Sequence, residues 1–553
     1  MSDAPGLRRM LQGRIASPRH ELCLEVRKML RTPSLSRLLA ALVAGVLAGS
    51  VSAGLSTATP SPVFGACPAG SVPADRGVEC AVISVPMNPA EPDGKRIDLT
   101  VSRIAAVGER RGVIFTNPGG PGADALDYWA RRVDVMPAEL THYDRVAVQP
   151  RGLRWATPLR CGSETDDSTA DQVSLTGGNR DTIKKACDAA QPGYLDTITT
   201  ENTARDMDAV RAALGVDRID YLGTSYGTYL GAVYATLFPG RVDRMVLDSN
   251  VNPDWVWTEE FAQQQVAGKR RLDDLFAWIA DHRDQYHLGD TALQVYQTWA
   301  RLAQEQGGGW YANLTPPPAG VADLPRDLPE PLAEIARDGF NGGVEQAGKL
   351  QNLMRTLVSG GASAQVPLLG ATAVATYTRD FWPTFARAMA DAAIDPANVR
   401  QLLAIEGATS TDPTGRFVFA AVTCNENAVD GRPELLGAAM GIIASGGNAM
   451  DAKADLVRSG MSCGAWRPVA KPVPITGAGL ATKPLLLQSR NDALTAYEGG
   501  TAMARALQGS LITVDGGDHG TFGRRNPAVD DAVLNYLKTG QVTITQAEQA
   551  PLR

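Results

Sequence analysis

An α/β fold, with a doubly wound, mostly parallel sheet and an inserted helix-rich cap, is predicted for this chain of 553 residues by three observations. Strand-like apolar runs alternate with helix-like stretches as far as about residue 251. The alternation stops between about 252 and 476, where the sequence is helix-rich and carries loops such as Gly307-Gly308-Gly309 and Pro316-Pro317-Pro318. It resumes over 477–540. Strands alternating with helices build a parallel sheet covered on both faces. The two flanking segments share one rhythm, so the middle reads as an insertion and not as an independent second domain.

Residues 1–53 are not expected to belong to the fold. Arg8, Arg9, Arg14, Arg19, Arg27, Lys28, Arg31 and Arg37 precede an apolar run over 38–49, and small residues follow through Ala53 and Ala58. This is the layout of a secretory signal peptide cleaved near Ala53 or Ala58. Met29 is an alternative start that leaves a signal of ordinary length. An uncleaved anchor is the other reading, but the run falls short of the roughly 20 residues a span requires. No cysteine follows the small residues, so neither a lipid anchor nor stable membrane association after cleavage is expected.

Residues 54–66 read as a Ser/Thr/Pro-rich linker. Strands are expected at 82–85, 97–104, 113–117 and 145–149. A helix follows at 201–214, capped near Thr200 or Asn202 and apolar at Met207, Val210, Ala213 and Leu214. A strand at 219–222, a helix at 228–238 and a strand at 245–247 complete the first part of the core, 67–251. After the cap, 252–476, the second part (477–540) contributes a strand at 484–488, a helix at 502–507 and a strand at 511–514. Residues 541–553 read as a tail.

Composition bounds the function. A hydrophobic content of 44% and a charged content of 20% describe an ordinary globular protein. The formal charge is −7, and without residues 1–53 it becomes −12, with 45 basic against 57 acidic side chains. No basic patch stands out, so nucleic acid is not an expected partner. Of seven cysteines, Cys23 leaves with the signal. The six that remain in an exported chain suggest disulfides, most simply between sequence neighbours: Cys67 with Cys80, Cys161 with Cys187, and Cys424 with Cys463. There is no C-x-x-C, and no metal or organic cofactor is implied.

The chemistry is written most plainly in Gly223-Thr224-Ser225-Tyr226-Gly227. It reads G-x-S-x-G between a strand-like and a helix-like run, the context of a nucleophile elbow in an α/β-hydrolase. The flanking glycines let strand and helix approach without a Cβ clash. An acyl-transfer serine needs a base. Five histidines occur, His20, His142, His282, His287 and His519, and His519 alone sits on a Gly-rich loop after the last expected strand. The acid should fall between serine and histidine. Asp492 follows the 484–488 strand and is the first choice; Asp248, just after the strand at 245–247, is its rival. Asp518 adjoins His519 and is poorly directed to orient it. The oxyanion hole needs two backbone N–H groups. Tyr226, next to the nucleophile, supplies one, and the loop Asn117-Pro118-Gly119-Gly120-Pro121-Gly122 offers the other.

With these residues assembled, the chain resembles the secreted tripeptidyl aminopeptidases of actinobacteria, relatives of proline iminopeptidase within the α/β-hydrolases. The matching stretches are NPGGPG (117–122), QPRG (149–152), GTSYGTYLGAVYATLFPGRVDRMVLDSN (223–250) and the region holding Asp492 and His519. The resemblance covers most of 65–540 and is weakest across the cap. It implies a triad of Ser225, Asp492 and His519, an oxyanion hole of Gly120 and Tyr226, and cleavage of short peptides from a free N-terminus. Three positions depart from the family pattern: Gln149 stands where an aspartate is usual, the acid loop 491–496 lacks its prolines, and Asp518 replaces a glycine. Together they suggest a diverged substrate.

The expected function is therefore that of a secreted serine exopeptidase acting on tri- or tetrapeptide units. An aminopeptidase must also bind the substrate ammonium, which calls for carboxylates in the cap. Glu259, Glu260 and Glu426 are candidates, although for each of them a solvated surface charge is the plainer reading. A carboxylesterase or other small-acyl hydrolase would use the same triad without an ammonium site. A catalytically dead binding protein is the remote alternative. Oligomeric state is left open.

Overall fold

A computed structural model describes residues 61–162, 180–324, 330–358, 362–407 and 412–552. The expected signal, with Cys23 and His20, and the start of the expected linker lie outside these residues. Nine strands form one sheet: β1 (Glu79–Pro86), β2 (Arg96–Ile104), β3 (Gly112–Asn117), β4 (Tyr143–Val148), β5 (Ile219–Ser225), β6 (Val242–Asn250), β7 (Leu485–Ser489), β8 (Ser510–Asp515) and β9 (Gln546–Glu548). Their spatial order is β1-β2-β4-β3-β5-β6-β7-β8-β9. β2 pairs antiparallel with both β1 and β4, and every other pairing is parallel. The central strands are buried along almost their whole length, as in Gly-Val-Ile-Phe-Thr-Asn of β3, because helices cover both faces of a parallel sheet.

The strand order reverses between β3 and β5, and their last residues are in register, Asn117 beside Gly223. A crevice opens beyond the strand ends at such a switch point, which is where ligands bind in open α/β sheets. The loop after β3 and the turn after β5 therefore meet at one place. The helix after that turn, Tyr226–Leu237, is buried on nearly every side and seats against Tyr221 and Leu247. Helix Thr200–Ala213 is capped by Thr199, whose hydroxyl accepts from the Asn202 N–H at 3.2 Å. The cap is thus one residue earlier than Thr200, because Thr199 still has extended backbone; Thr200 is left for another role described below.

The inserted segment has a core of its own, built from Leu272, Phe276, Trp299, Trp382, Phe385 and neighbours. It is not wholly separate. Helix Thr258–Asp281 buries Phe261 and Ala262 in the main core and Leu272, Leu275 and Phe276 in the cap core. Helix Pro413–Asn425 and Trp466 belong to the main core outright. Two boundaries expected from sequence are corrected at the ends of the chain. Within the expected linker, Gly65 pairs with Cys80, and the Phe64 ring lies 3.8 Å under the Arg103 guanidinium. Within the expected tail, Gln546–Glu548 pairs with β8 as the ninth strand. Ala547 is the one buried side chain of that strand, too weak a pattern to read as one from sequence. The six cysteines pair as sequence neighbours, Cys67–Cys80, Cys161–Cys187 and Cys424–Cys463.

Candidate active site

Ser225 ends β5 and precedes the first residue of the next helix with φ 59° and ψ −129°. A β-bearing residue holds positive φ only where its surroundings over-determine it, and the Gly-x-Ser-x-Gly turn does so. A Cβ on Gly223 would run into the Gly227 carbonyl, and one on Gly227 into the Asn117 carbonyl. Gly119, at φ 102°, backs onto the same turn: a Cβ there would lie 2.7 Å from Thr224 O and 2.8 Å from Ser225 Cβ. The loop 117–122 and the elbow are therefore packed backbone on backbone. The Gly119 N–H is taken up by Asn117 Oδ1 at 2.9 Å, whereas Gly120 lines the cleft beside Ser225.

His519 and Asp492 meet as expected. The imidazole Nδ1 lies 3.0 Å from each oxygen of the Asp492 carboxylate. Asp492 is buried and also accepts the N–H groups of Leu494 at 2.9 Å and Thr495 at 3.1 Å, and the Thr495 hydroxyl at 3.1 Å. Burial alone would raise its pKa, but the adjacent His519 and the backbone donors outweigh that and hold the carboxyl below the ordinary aspartate value. The side chain closes an Asx-type turn, so the loop needs no proline to hold its shape. The spacing Asp492-x-x-Thr495 is the sequence signal that could have exposed Thr495, which the sequence reading missed.

The rival acid has a different task. Asp248 accepts from Thr521 N at 2.7 Å, Phe522 N at 2.8 Å and the Thr521 hydroxyl at 3.0 Å, anchoring the loop just beyond the histidine. Other ties complete the grip: Ser249 Oγ accepts from Gly520 N at 2.7 Å, Ser489 Oγ donates to Asp518 O at 2.7 Å, and His519 N donates to Tyr377 O at 2.7 Å. The departures from the family pattern have structural roles. Asp518 turns away from the imidazole to a buried ion pair with Arg271 at 2.7 Å and accepts the Arg379 N–H at 2.8 Å. Gln149 accepts from Ala125 N at 2.9 Å and donates to Asp124 at 2.6 Å and Arg154 O at 2.7 Å, bracing the chain after the oxyanion loop. In the same QPRG stretch, Arg151 is a buried brace, paired with both oxygens of Asp206 at 2.7 Å.

Ser225 and His519 open on one cleft of about 720 Å³. The inserted segment 252–476 gives it Phe261, Phe419, Phe381 and Tyr377, the short helix Tyr128–Arg132 gives it Arg132, and the loop after β8 gives it Phe522 and Arg524. None of the three candidate glutamates lines it. Glu259 is bound by Arg458 at 2.7 and 2.9 Å. Glu260 is buried and accepts from Asn252 N at 3.2 Å; burial, and secondarily the charge of Asp492, push its carboxyl up to about 8. Glu426 is buried behind the elbow, where it accepts the Thr200 N–H at 2.9 Å, the Thr200 hydroxyl and Trp257 Nε1 at 3.3 Å. Burial raises its carboxyl to about 7. Thr200 Oγ1 lies 2.9 Å from the Tyr226 hydroxyl, so Glu426 links the cap to the elbow and does not face substrate. The cap carboxylate on the cleft wall is instead Asp380, 2.9 Å from Arg524.

A serine on a strained turn and an imidazole oriented by a buried carboxylate, opening on one cleft, are an arrangement that can carry acyl transfer. Among the described residues, no His/Cys/Asp/Glu group could hold a metal ion. Comparison with known proteins agrees with this chemistry. A family model described as alpha/beta hydrolase fold matches residues 112–290, which hold the oxyanion loop and Ser225. A second, described as TAP-like protein, matches 449–548, which hold Asp492 and His519. The tripeptidyl aminopeptidase of Streptomyces lividans is 33% identical, with 86% of this chain and 84% of that protein covered. The carboxylesterase B of Mycobacterium tuberculosis is 28% identical, with 86% and 87% covered. The serine protease Hip1 of the same organism is 24% identical, with 84% and 86% covered. The chain belongs to the tripeptidyl aminopeptidase family of serine hydrolases with the α/β-hydrolase fold.

Proposed function

We propose that this protein is an exported serine exopeptidase that releases tri- or tetrapeptides from free N-termini. The observation that carries the reading is His519 Nδ1 at 3.0 Å from both oxygens of buried Asp492, in the cleft that Ser225 also lines. His519 takes the Ser225 proton as the hydroxyl attacks the scissile carbonyl, then returns it to the leaving amine. Asp492 fixes the imidazole tautomer and stabilises the imidazolium. The N–H groups of Gly120 and Tyr226 receive the negative oxygen, and water activated by His519 frees the acyl-enzyme. In this reading the substrate ammonium meets Asp380, a choice supported by its being the cap carboxylate that lines the cleft, which the three glutamates do not. The signal-like start and the three disulfides support export.

One observation favours a second reading, hydrolysis of small acyl esters. Asp380 is already paired with Arg524, and aromatic side chains dominate the cap wall, so the cleft also suits an uncharged acyl group. The two readings separate on tripeptidyl anilides with a free or an acetylated N-terminus. The exopeptidase reading predicts that acetylation lowers kcat/KM by about tenfold or more, the worth of one charge-assisted contact, and that Asp380→Asn removes most of that difference. Indifference to acetylation would sink it in favour of the esterase.

A further inference from the structure

We propose that Arg132 forms a subsite for a substrate carboxylate, and that the preferred substrates are peptides carrying a negative charge near the scissile bond. This rests on the peptidase reading above.

Two arginines line the cleft, Arg132 and Arg524, and Arg131 adjoins the first. Arg131 is exposed and pairs with Asp127. Arg524 donates to His519 O at 3.0 Å, Thr378 Oγ1 at 2.9 Å, Asp380 at 2.9 Å and the Gly520 carbonyl, so it serves to hold the histidine loop against the cap. Arg132 differs. It is partly buried and lines the cleft with Gly120 and Ser225, and among the described residues it pairs with no carboxylate. Its guanidinium carbon lies 4.4 Å over the Tyr128 ring.

The side chain is held before any substrate arrives. Tyr128 is buried and packs edge-on against Trp129 at 5.2 Å, and Trp129 donates to Val146 O at 3.1 Å on β4. The short helix Tyr128–Arg132 comes soon after the loop 117–122, with only residues 123–127 between them, so the guanidinium is carried on the same stretch of chain as that loop. Stacking occupies one face of the guanidinium and leaves its N–H edge for a planar acceptor, and a carboxylate matches that fork in two parallel hydrogen bonds. An uncharged substrate would leave this cation facing the cleft without compensation. The carboxylate could belong to an acidic side chain or to the C-terminus of a short peptide. A solvated arginine with only a solubilising role is the competing account.

The test is kcat/KM on free-amine tetrapeptides that differ in one group. One pair carries Asp or Asn at the fourth position with an amidated C-terminus; the other carries Ala there with a free or an amidated C-terminus. The wild type is expected to prefer the carboxylate member of one pair by about tenfold, chiefly through KM, and the pair that shows it names the source. Arg132→Ala should bring that ratio to about one and Arg132→Glu should invert it, while Arg131→Ala should keep it. A wild type with no preference in either pair, or a ratio unchanged in Arg132→Ala, overturns the proposal. Should the wild type cleave no peptide, the peptidase reading fails by itself. Acetate esters of 4-hydroxybenzoate and of 4-hydroxybenzamide, which carry the charge on the leaving group as the peptides do, then read the same ratio, and a ratio near one overturns the subsite.

Discussion

The elbow and the loop against it are held together by backbone, whereas the cap side of the cleft is held by side chains that reach across long stretches of sequence. On the sheet side, Gly119, Gly223 and Gly227 sit where a single added carbon would strike a neighbouring main chain. Ser225 is forced to positive φ between them, and the Asp492 carboxylate is closed by N–H groups two and three residues away. On the cap side, the ties are Arg271 with Asp518, Arg524 with Asp380, and Glu426 with Thr200. The partners in the first and last are 247 and 226 residues apart. Backbone contact leaves almost no alternative sequence, while a side-chain tie can be rebuilt with other residues. The elbow and its loop are therefore rigidly specified, whereas the cap wall is the more replaceable one.

This contrast can be broken most severely at Gly227. Its own backbone is helical, so only the approach of β3 requires glycine there. Gly227→Ala should cost about 1–3 kcal/mol of stability, as overpacking does, and should displace the elbow enough to remove most activity. Denaturant unfolding and an active-site titration measure the two effects. Near-native activity in the folded variant would show that the elbow is softer than its contacts imply.

Arg271→Ala probes the cap side. It leaves Asp518 buried with the Arg379 N–H at 2.8 Å and the more distant Arg379 guanidinium at 3.8 Å, so a loss of roughly 3 kcal/mol, the low end for breaking a buried ion pair, is expected. The histidine loop would loosen while Ser225 keeps its geometry. Unfolding should therefore shift more than the reactivity of Ser225; equal losses in both would deny that the two walls are independent.

The smallest effect concerns pH. The Glu260 carboxyl is raised to about 8 in the folded protein, first by burial and then by Asp492, against about 4.3 when unfolded. The folded state thus holds a proton that the unfolded chain has released. Stability from this group is complete below about pH 4.3 and is lost as pH rises to about 8. Glu260→Gln should flatten that part of the stability–pH curve, which thermal midpoints across the range would record.

The sequence was legible where chemistry is local. The elbow lies within five residues, the oxyanion loop within six, and both bring a glycine pattern with a physical reason. Asp492 and His519, which the structure brings together, were readable from their place after strands. What stayed hidden depended on distant partners. Nothing near Glu259 indicates Arg458, nothing near Asp518 indicates Arg271, and Glu426 is acidic in the manner of an ammonium ligand although it braces the elbow. Asp248 stood where an acid could stand, and only its bonds to Thr521 and Phe522 identify it as the anchor of the histidine loop. The ninth strand escaped because three residues with one buried side chain carry no period.

The most direct test of the central account is the mass of the intact protein after treatment with a fluorophosphonate, followed by peptide mapping. The account predicts one adduct per chain, on the peptide containing Gly223 to Gly227, absent from Ser225→Ala and formed far more slowly in Asp492→Asn. A folded protein that takes up no label, or takes it at another serine, would contradict acyl transfer through Ser225.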